Sequence, residues 1–488
     1  MKKAPDRAPR RRKNLITHGL RGGVLYLFTL PASAALLYPA QGFFADPWDT
    51  QTLVPPRGQY RAVPGVPPQV PRIPPPSPAV LQRLRTLPAL TAWALAHNPQ
   101  TASAWASLEA EAAAWGYAQG LWLPTLNAQV QGQRSETLYS IHQLNAPAVN
   151  GLYSSLSFSE VLFNFGYRQA SVQAAHANTL LARYSANATL QTVALKVADA
   201  YYGLAEAEAV VDTYRQGVRE AQEIYADTRI QYRAHLKAVT DVYQAQTELA
   251  RAREDLAAAQ GALQASRGQL ATTVGLPVSL RLPILPLPPP QAPHAPIVTH
   301  WLQQAYRQNP AIQADRESMA AARHNIAVAQ DQGLPSLSLV GNLGKDWFQK
   351  TPNQESFSVG LQLHVPLDSN FQTQYQVQKE RALYHQAQAQ AQQEVQSVFL
   401  QVWQAYYRWQ SSYRAYQAAR AQVHSAQKAL SGIRTQYRIG LANILDLVTA
   451  EENLISARVT ETEELAAYYQ YQAALYRYAG VALAGKAT

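Results

Sequence analysis

Cysteine is absent from the 488 residues. With it go disulfides, thiolate metal sites and a lipidated N-terminal cysteine. Charged residues make up only 15% of the chain, with 32 Asp+Glu against 42 Lys+Arg. There is no HExxH, no G-x-S-x-G elbow, no phosphate loop and no dinucleotide fingerprint. These absences argue against an enzyme and against a resident cofactor; none is expected. Beyond the N-terminal region no run of about 18 apolar residues occurs, which excludes a transmembrane helix. A mature chain that enters a membrane must then do so as β-strands. The formal charge of +10 is also less than it looks. Residues 1–21 hold eight Lys/Arg against the single acid Asp6, leaving about +3 for the rest, so no basic face for nucleic acid is expected.

What is present begins with that basic segment. It is followed by "VLYLFTLPASAALLYPA", a short apolar run broken by Pro31, with small residues Ala32, Ser33, Ala34 and Ala40 at its exit. This order describes a secretory signal over residues 1–45, cleaved between 34 and 45; the competing reading is an uncleaved anchor helix. Residues 46–88 are proline-rich and predict an extended tether. A second proline-rich piece, at 282–298, separates two halves, 89–281 and 299–484.

The halves are copies. "HNP" at 97–99 answers "QNP" at 308–310, and "LPTL" at 123–126 answers "LPSL" at 334–337, at an offset of 211. Further on, "YRAHLKAVTD" from Tyr232 answers "YRIGLANILD" from Tyr437 at an offset of 205, which holds through Gly275/Gly480. One deletion of six residues in a loop reconciles the halves. This doubling is the strongest organisational signal in the chain.

Each half opens on an alanine-rich helix, expected over 90–121 and 299–332, followed by two alternating segments. Phe357, Val359, Leu361, Leu363 and Val365, for example, alternate with Ser356, Ser358, Gly360, Gln362 and His364. Such strands suit a transmembrane barrel, and periodicity alone fits a soluble sandwich almost as well. A helix without proline then runs from 168 to about 234. Its heptad positions include Val197, Leu204, Val211, Tyr225 and Tyr232, repeated as Val402, Trp409, Tyr416, Leu430 and Tyr437. Some 67 residues make a rod of about 100 Å. The shorter helices before the strands and after the bend are each about half as long, so two laid end to end match one rod. A soluble sandwich has no use for such a rod. Four strands cannot close a barrel, so a membrane-spanning chain must oligomerise.

In this doubling, with its "NP" and "LP" marks and its "Y-x-x-G-L-x-x-x-x-D" bend, the chain resembles the TolC family of outer-membrane efflux proteins over 88–484. The resemblance implies a mainly helical fold with transmembrane β: a homotrimer with a twelve-stranded barrel in the outer membrane of a Gram-negative bacterium, standing on a periplasmic α-helical barrel. It implies an exit duct for a tripartite efflux pump or type I secretion system, with outer-membrane lipid, a periplasmic adaptor and an inner-membrane transporter as partners. By the same resemblance, the tips meeting the adaptor are Tyr232, Arg233, His235 and Leu236, and Arg438, Gly440 and Leu441 beside Tyr437. Asp446 falls in an aspartate ring at the entrance, and Tyr437, Thr240 and Asp241 in the network that holds it shut. The family's gate arginine falls on Ala442 and its second ring aspartate on Thr449, and His235 stands where a tip glycine would; these departures argue against a strongly latched, doubly ringed gate.

Plainer readings stand beside these. Gly440 also fits a helix C-cap, and Asp446 a solvated helix face or an N-cap. Aromatic residues on the heptads read as packing, whereas Trp122, Phe163, Phe165, Trp347 and Phe371 flank strands where an interfacial girdle belongs. His294 and His300 make only a weak pair, and no metal site is expected. The alternative to a duct is a non-conducting periplasmic coiled-coil adaptor or envelope scaffold.

Overall fold

The computed structural model describes residues 77, 81, 83–136, 149–293, 297–349, 352–367 and 370–481. The expected export signal, nearly all of the tether, His294 and residues 482–484 lie outside them.

The first half contributes α1 (Leu87–His97), α2 (Pro99–Gln119), β1 (Thr125–Ser135), β2 (Val149–Phe163), α3 (Tyr167–Arg233) and α4 (Val239–Val274). The second contributes α5 (Val298–Gln308), α6 (Pro310–Asp331), β3 (Ser336–Phe348), β4 (Gln354–His364), α7 (Gln372–Arg438) and α8 (Ile444–Tyr478). Both long helices have 67 residues, as their proline-free heptads predict. No helix among the described residues is long and apolar enough to cross a membrane.

The single opening helix expected over 90–121 and 299–332 is in fact two in each half. Proline drives the preceding residue out of the α region, so Asn98 (ψ 130°) and Asn309 (ψ 123°) break the run. Each asparagine then caps the next helix. Its Oδ1 accepts from the backbone N–H of Gln100 (2.7 Å) or Ala311 (2.8 Å). Its Nδ2 donates to the carbonyl of Thr273 (2.9 Å) or Tyr478 (2.8 Å), near the end of the hairpin's return helix. Gly480 (φ +77°) makes this meeting possible in the second half, since a Cβ there would lie 2.7 Å from the Gln308 backbone. The "NP" and glycine marks, some 170 residues apart in each half, are thus two sides of one joint.

At these joints short helices stack end to end. Helices α1, α2 and α4 pack along α3; α5, α6 and α8 pack along α7; and α6 and α8 also reach α3, joining the halves. The heptads supply the core. Val197, Leu204 and Val211 are buried with Leu270 and Val274 in one cluster, and Val402, Trp409 and Tyr468 in another. Toward the far end the stripe on α3 drifts: Ile224 is buried where Tyr225 was expected, and Tyr232 is exposed. A straight helix of 3.6 residues per turn cannot keep a strict seven-residue repeat on one face for so long.

The strands form one antiparallel sheet in the order β1-β2-β3-β4. Its register aligns the alternation of the four strands. Ala128, Leu156, Leu343 and Phe357 lie opposite one another across all four strands, and the next row is Leu126, Phe158, Gly341 and Val359. The intervening row is Asn127, Ser157, Asn342 and Ser358. Side chains opposite one another share a face, so one face is apolar and the other small and polar. The apolar face is bare, with Phe357, Val359, Leu361 and Leu363 all well exposed. The helix-side end carries Trp122, Phe163, Phe165 and Phe371, all exposed, and the opposite end Tyr153, Trp347 and Phe348.

Parts of both proline-rich segments pack against the helices. Leu84 is buried and α1 starts at Leu87, so the packed first half begins inside the expected tether of 46–88. The described part of the 282–298 linker is not loose. Leu282 is in the core, and the hydroxyls of Tyr201, Tyr468 and Tyr469 donate to the carbonyls of Leu285 (3.4 Å), Gln291 (2.9 Å) and Pro288 (3.1 Å). Proline-rich backbone has free carbonyls, which a wall of tyrosines can bind.

Candidate functional site

The helical end away from the sheet consists of two hairpin tips. In the second, Gly440 adopts φ +81°; its N–H bonds to the Tyr437 carbonyl (3.2 Å), and that of Leu441 to Gln436 (2.8 Å). This is the Schellman closure of a helix. The first tip makes the same closure with His235 at φ +59°, its N–H reaching Tyr232 (2.9 Å) and that of Leu236 reaching Gln231 (2.9 Å). The shape therefore survives the loss of glycine at a modest cost in backbone strain. Both tips project apolar side chains into solvent: Leu236 is 73% exposed and Leu441 77%, with Ile439, Tyr243 and Leu445 also bare. Arg233 and Arg438 lie in the last turns of α3 and α7, where a cation suits the helix dipole.

Asp446 is the third residue of α8 and closes a capping box. Its Oδ2 accepts from the Asn443 N–H (3.1 Å), and its own N–H donates to Asn443 Oδ1 (2.8 Å). Of the plainer readings, the cap is the one found, on an exposed carboxylate. Asp241, its twin, sits in the first turn of α4 with Ala238 as N-cap and no side-chain cap bond. Asp446, Ala442 and Thr449 line one groove between α7 and α8, with Leu441 and Leu445.

Tyr437 points the other way. It is 2% exposed, and its hydroxyl pairs with Thr228 Oγ1 (3.1 Å) on α3, while Lys237 Nζ stands 4.1 Å from its ring centroid. Burial raises the phenol pKa and the Thr228 bond opposes that, with the carboxylates of Asp241 and Asp227 near enough to raise it further. Tyr437 thus bridges the two hairpins. Its hydroxyl partner within the chain is Thr228, not Thr240 or Asp241, and Thr240 is exposed. The repeat-mate Tyr232 is 42% exposed, so the two tyrosines, alike in sequence, do different work.

Sequence reasoning missed most of the remaining ties. Arg434 Nη2 binds Glu223 Oε2 at 2.9 Å, Arg251 pairs with Glu452, and Arg458 reaches Gln216 (3.2 Å) and Glu220 (3.6 Å). Each crosses from one hairpin to the other, and no periodicity marks such pairs. Glu451 is fully buried among them. A signal for it existed: Leu447, Glu451 and Leu454 share one helical face. On that face Ile444, Leu447, Ala450 and Leu454 are buried with it. No group of three or more His, Asp or Glu arranged to hold a metal occurs among the described residues.

A profile of outer membrane efflux proteins matches residues 90–276 and 301–481, the two repeats almost end to end. The chain belongs to that family. Among its relatives, Protein CyaE of Bordetella pertussis is 28% identical over 78% of this chain and 82% of its own. The alkaline protease secretion protein AprF of Pseudomonas aeruginosa is 26% identical over 67% of this chain and 69% of its own. Among solved structures, CusC superposes with a TM-score of 0.72 at 21% identity, covering 81% of this chain and 92% of CusC. VceC of Vibrio cholerae does so with a TM-score of 0.72 at 22% identity, covering 81% and 96%. Family membership makes this an outer-membrane protein of a Gram-negative bacterium and an export duct, and the likeness to solved channels extends to the whole helix–strand architecture.

Proposed function

We propose that the chain assembles as a homotrimer whose three sheets close a twelve-stranded barrel and whose helices form the duct beneath it. It then passes cargo from an inner-membrane transporter, through a periplasmic adaptor docked at the two tips, to the cell exterior. The observation that carries this reading is the sheet. Its apolar side chains line up across four strands on a face left exposed, and its outer strands β1 and β4 have no second strand partner among the described residues. An open edge cannot stand in lipid, because unpaired backbone groups find no water there. Strands of 11–15 residues at about 3.4 Å each, tilted as barrel strands are, span a core of about 30 Å.

Thr240, Asp241, Asp446 and Tyr437 form the entrance in this reading, with Tyr232, Arg233, His235, Leu236, Arg438, Gly440 and Leu441 meeting the adaptor. The match to AprF, named for protease secretion, favours a polypeptide cargo over a small molecule. Membrane fractionation and heat-modifiability test the assembly: trimers in the outer-membrane fraction support the duct. A soluble periplasmic monomer would instead mean a scaffold. Comparing the proteins exported by deletion and wild-type cells tests the cargo, and an unchanged set would overturn the polypeptide reading.

A further inference from the structure

Where the two hairpins press together, the chain buries an acid that nothing neutralises. Glu451, on α8, is 2% exposed, and neither carboxylate oxygen has a hydrogen-bond partner among the described residues. The surrounding groups are mostly acids. Glu220 and Glu223 face it from α3 and Glu248 from α4, while Arg434 on α7 is, among the described residues, the cation near enough to favour its charge. Arg434 is already bound to Glu223, Arg458 reaches Glu220, and Arg251 pairs with Glu452. One oxygen of Glu220 is likewise buried without a hydrogen bond. The packing leaves little space for hydration, since a Cβ on Gly217 of α3 would come within 2.7 Å of Ile455 on α8.

A carboxylate cannot remain charged there without a large desolvation cost and repulsion from three acids. A carboxylic acid can. We infer that Glu451 is a proton-dependent seat: protonated, it lets α8 lie against α3 and α4 and so holds the entrance closed; ionised, it drives the hairpins apart. This is a positioning role, and it rests on the duct reading only for its consequence at the entrance.

Burial first, and the neighbouring glutamates second, push the Glu451 carboxyl up to about 8. The sign follows. The seated form binds its proton up to that pH, whereas an opened, hydrated Glu451 releases it near its ordinary value of 4.5. The preference for the closed arrangement is therefore complete below about 4.5, weakens as pH rises, and levels off above about 8. The closed-to-open ratio should fall by up to about tenfold per pH unit within that window.

Because the chain has no cysteine, Leu236→Cys and Leu441→Cys can carry spin labels at the two tips of the full-length assembled protein. Tip-to-tip distances should shift toward an open population between pH 5 and 8 and then plateau. Glu451→Gln, which cannot ionise, should stay closed throughout. Glu220→Gln, which removes one repelling acid, should make the shift level off at a lower pH, with a smaller open population on the plateau. Wild-type distances that ignore pH, or an unchanged transition in Glu451→Gln, would overturn the proposal. If Glu451→Gln does not assemble, a Glu220→Gln plateau at the wild-type pH and open population overturns it instead. Bilayer conductance of the same samples keeps the two readings apart: no conductance at any pH would sink the duct while the distances still judge the seat.

Discussion

Tyr437 and Asp446 lie nine residues apart around one bend, and their surroundings give them separate tasks. The Tyr437 hydroxyl is buried against Thr228 of the other hairpin, so Tyr437→Phe removes one cross-hairpin hydrogen bond worth about 1 kcal/mol and leaves the ring packed. Resting conductance in planar bilayers should rise, with ion selectivity unchanged. Asp446 is exposed and caps its own helix, so Asp446→Asn keeps an acceptor for the cap while removing a charge that the proposed trimer sets at its entrance. Three such carboxylates around a trimer axis concentrate cations. Reversal potentials should therefore show weaker cation preference, and trivalent cations should block less. If Tyr437→Phe alters selectivity and Asp446→Asn does not, the roles are exchanged. The sequence singled out both residues through the repeated bend. It could not distinguish Tyr437 from Tyr232, because only the packing of one hairpin on the other makes one tyrosine a bridge and leaves its copy in solvent.

At the scale of elements, the long helices were legible almost to the residue, because proline-free heptads have only one way to bury their stripe. The short opening helices were not. Alanine carries no strong periodicity, and an Asn-Pro pair inside a helical run reads as a minor irregularity until its partner comes into contact. The structure makes Asn98 and Asn309 the joints on which stacked helices turn. Replacing either with alanine removes an N-cap and the tie to the neighbouring helix end, at a cost of about 1–2 kcal/mol. Chemical denaturation should show similar losses for Asn98→Ala and Asn309→Ala, since the two halves build the same joint. A loss confined to one would show that the copies have diverged in use.

Across the whole molecule the decisive feature is a sheet that the chain alone leaves unfinished. Arginine at Leu361 lies beside Leu339 on the face that carries Phe357, Val359 and Leu363, and at a bilayer midplane costs about 2–4 kcal/mol. Arginine at Ser358, opposite Asn342 on the other face, should be tolerated. The yield of outer-membrane trimers measures the difference, and equal defects at both positions would contradict a lipid-facing assignment.

The sequence by itself determined the doubled unit, the length of its rods, the place of its bends and that no apolar run beyond the N-terminal region is long enough for a membrane-spanning helix. Each of these follows from local periodicity or from residues such as proline and glycine that act on their own backbone. Only the tertiary structure decided which strand residues share a face, since register is a relation between strands that lie up to about 200 residues apart. It alone also showed that Asn98 meets Thr273, that the proline-rich linker is strapped down by tyrosines, and that Glu451 is closed in among acids. The spacing of Leu447, Glu451 and Leu454 sets that glutamate on an apolar face, but its burial comes from the first hairpin packed across it.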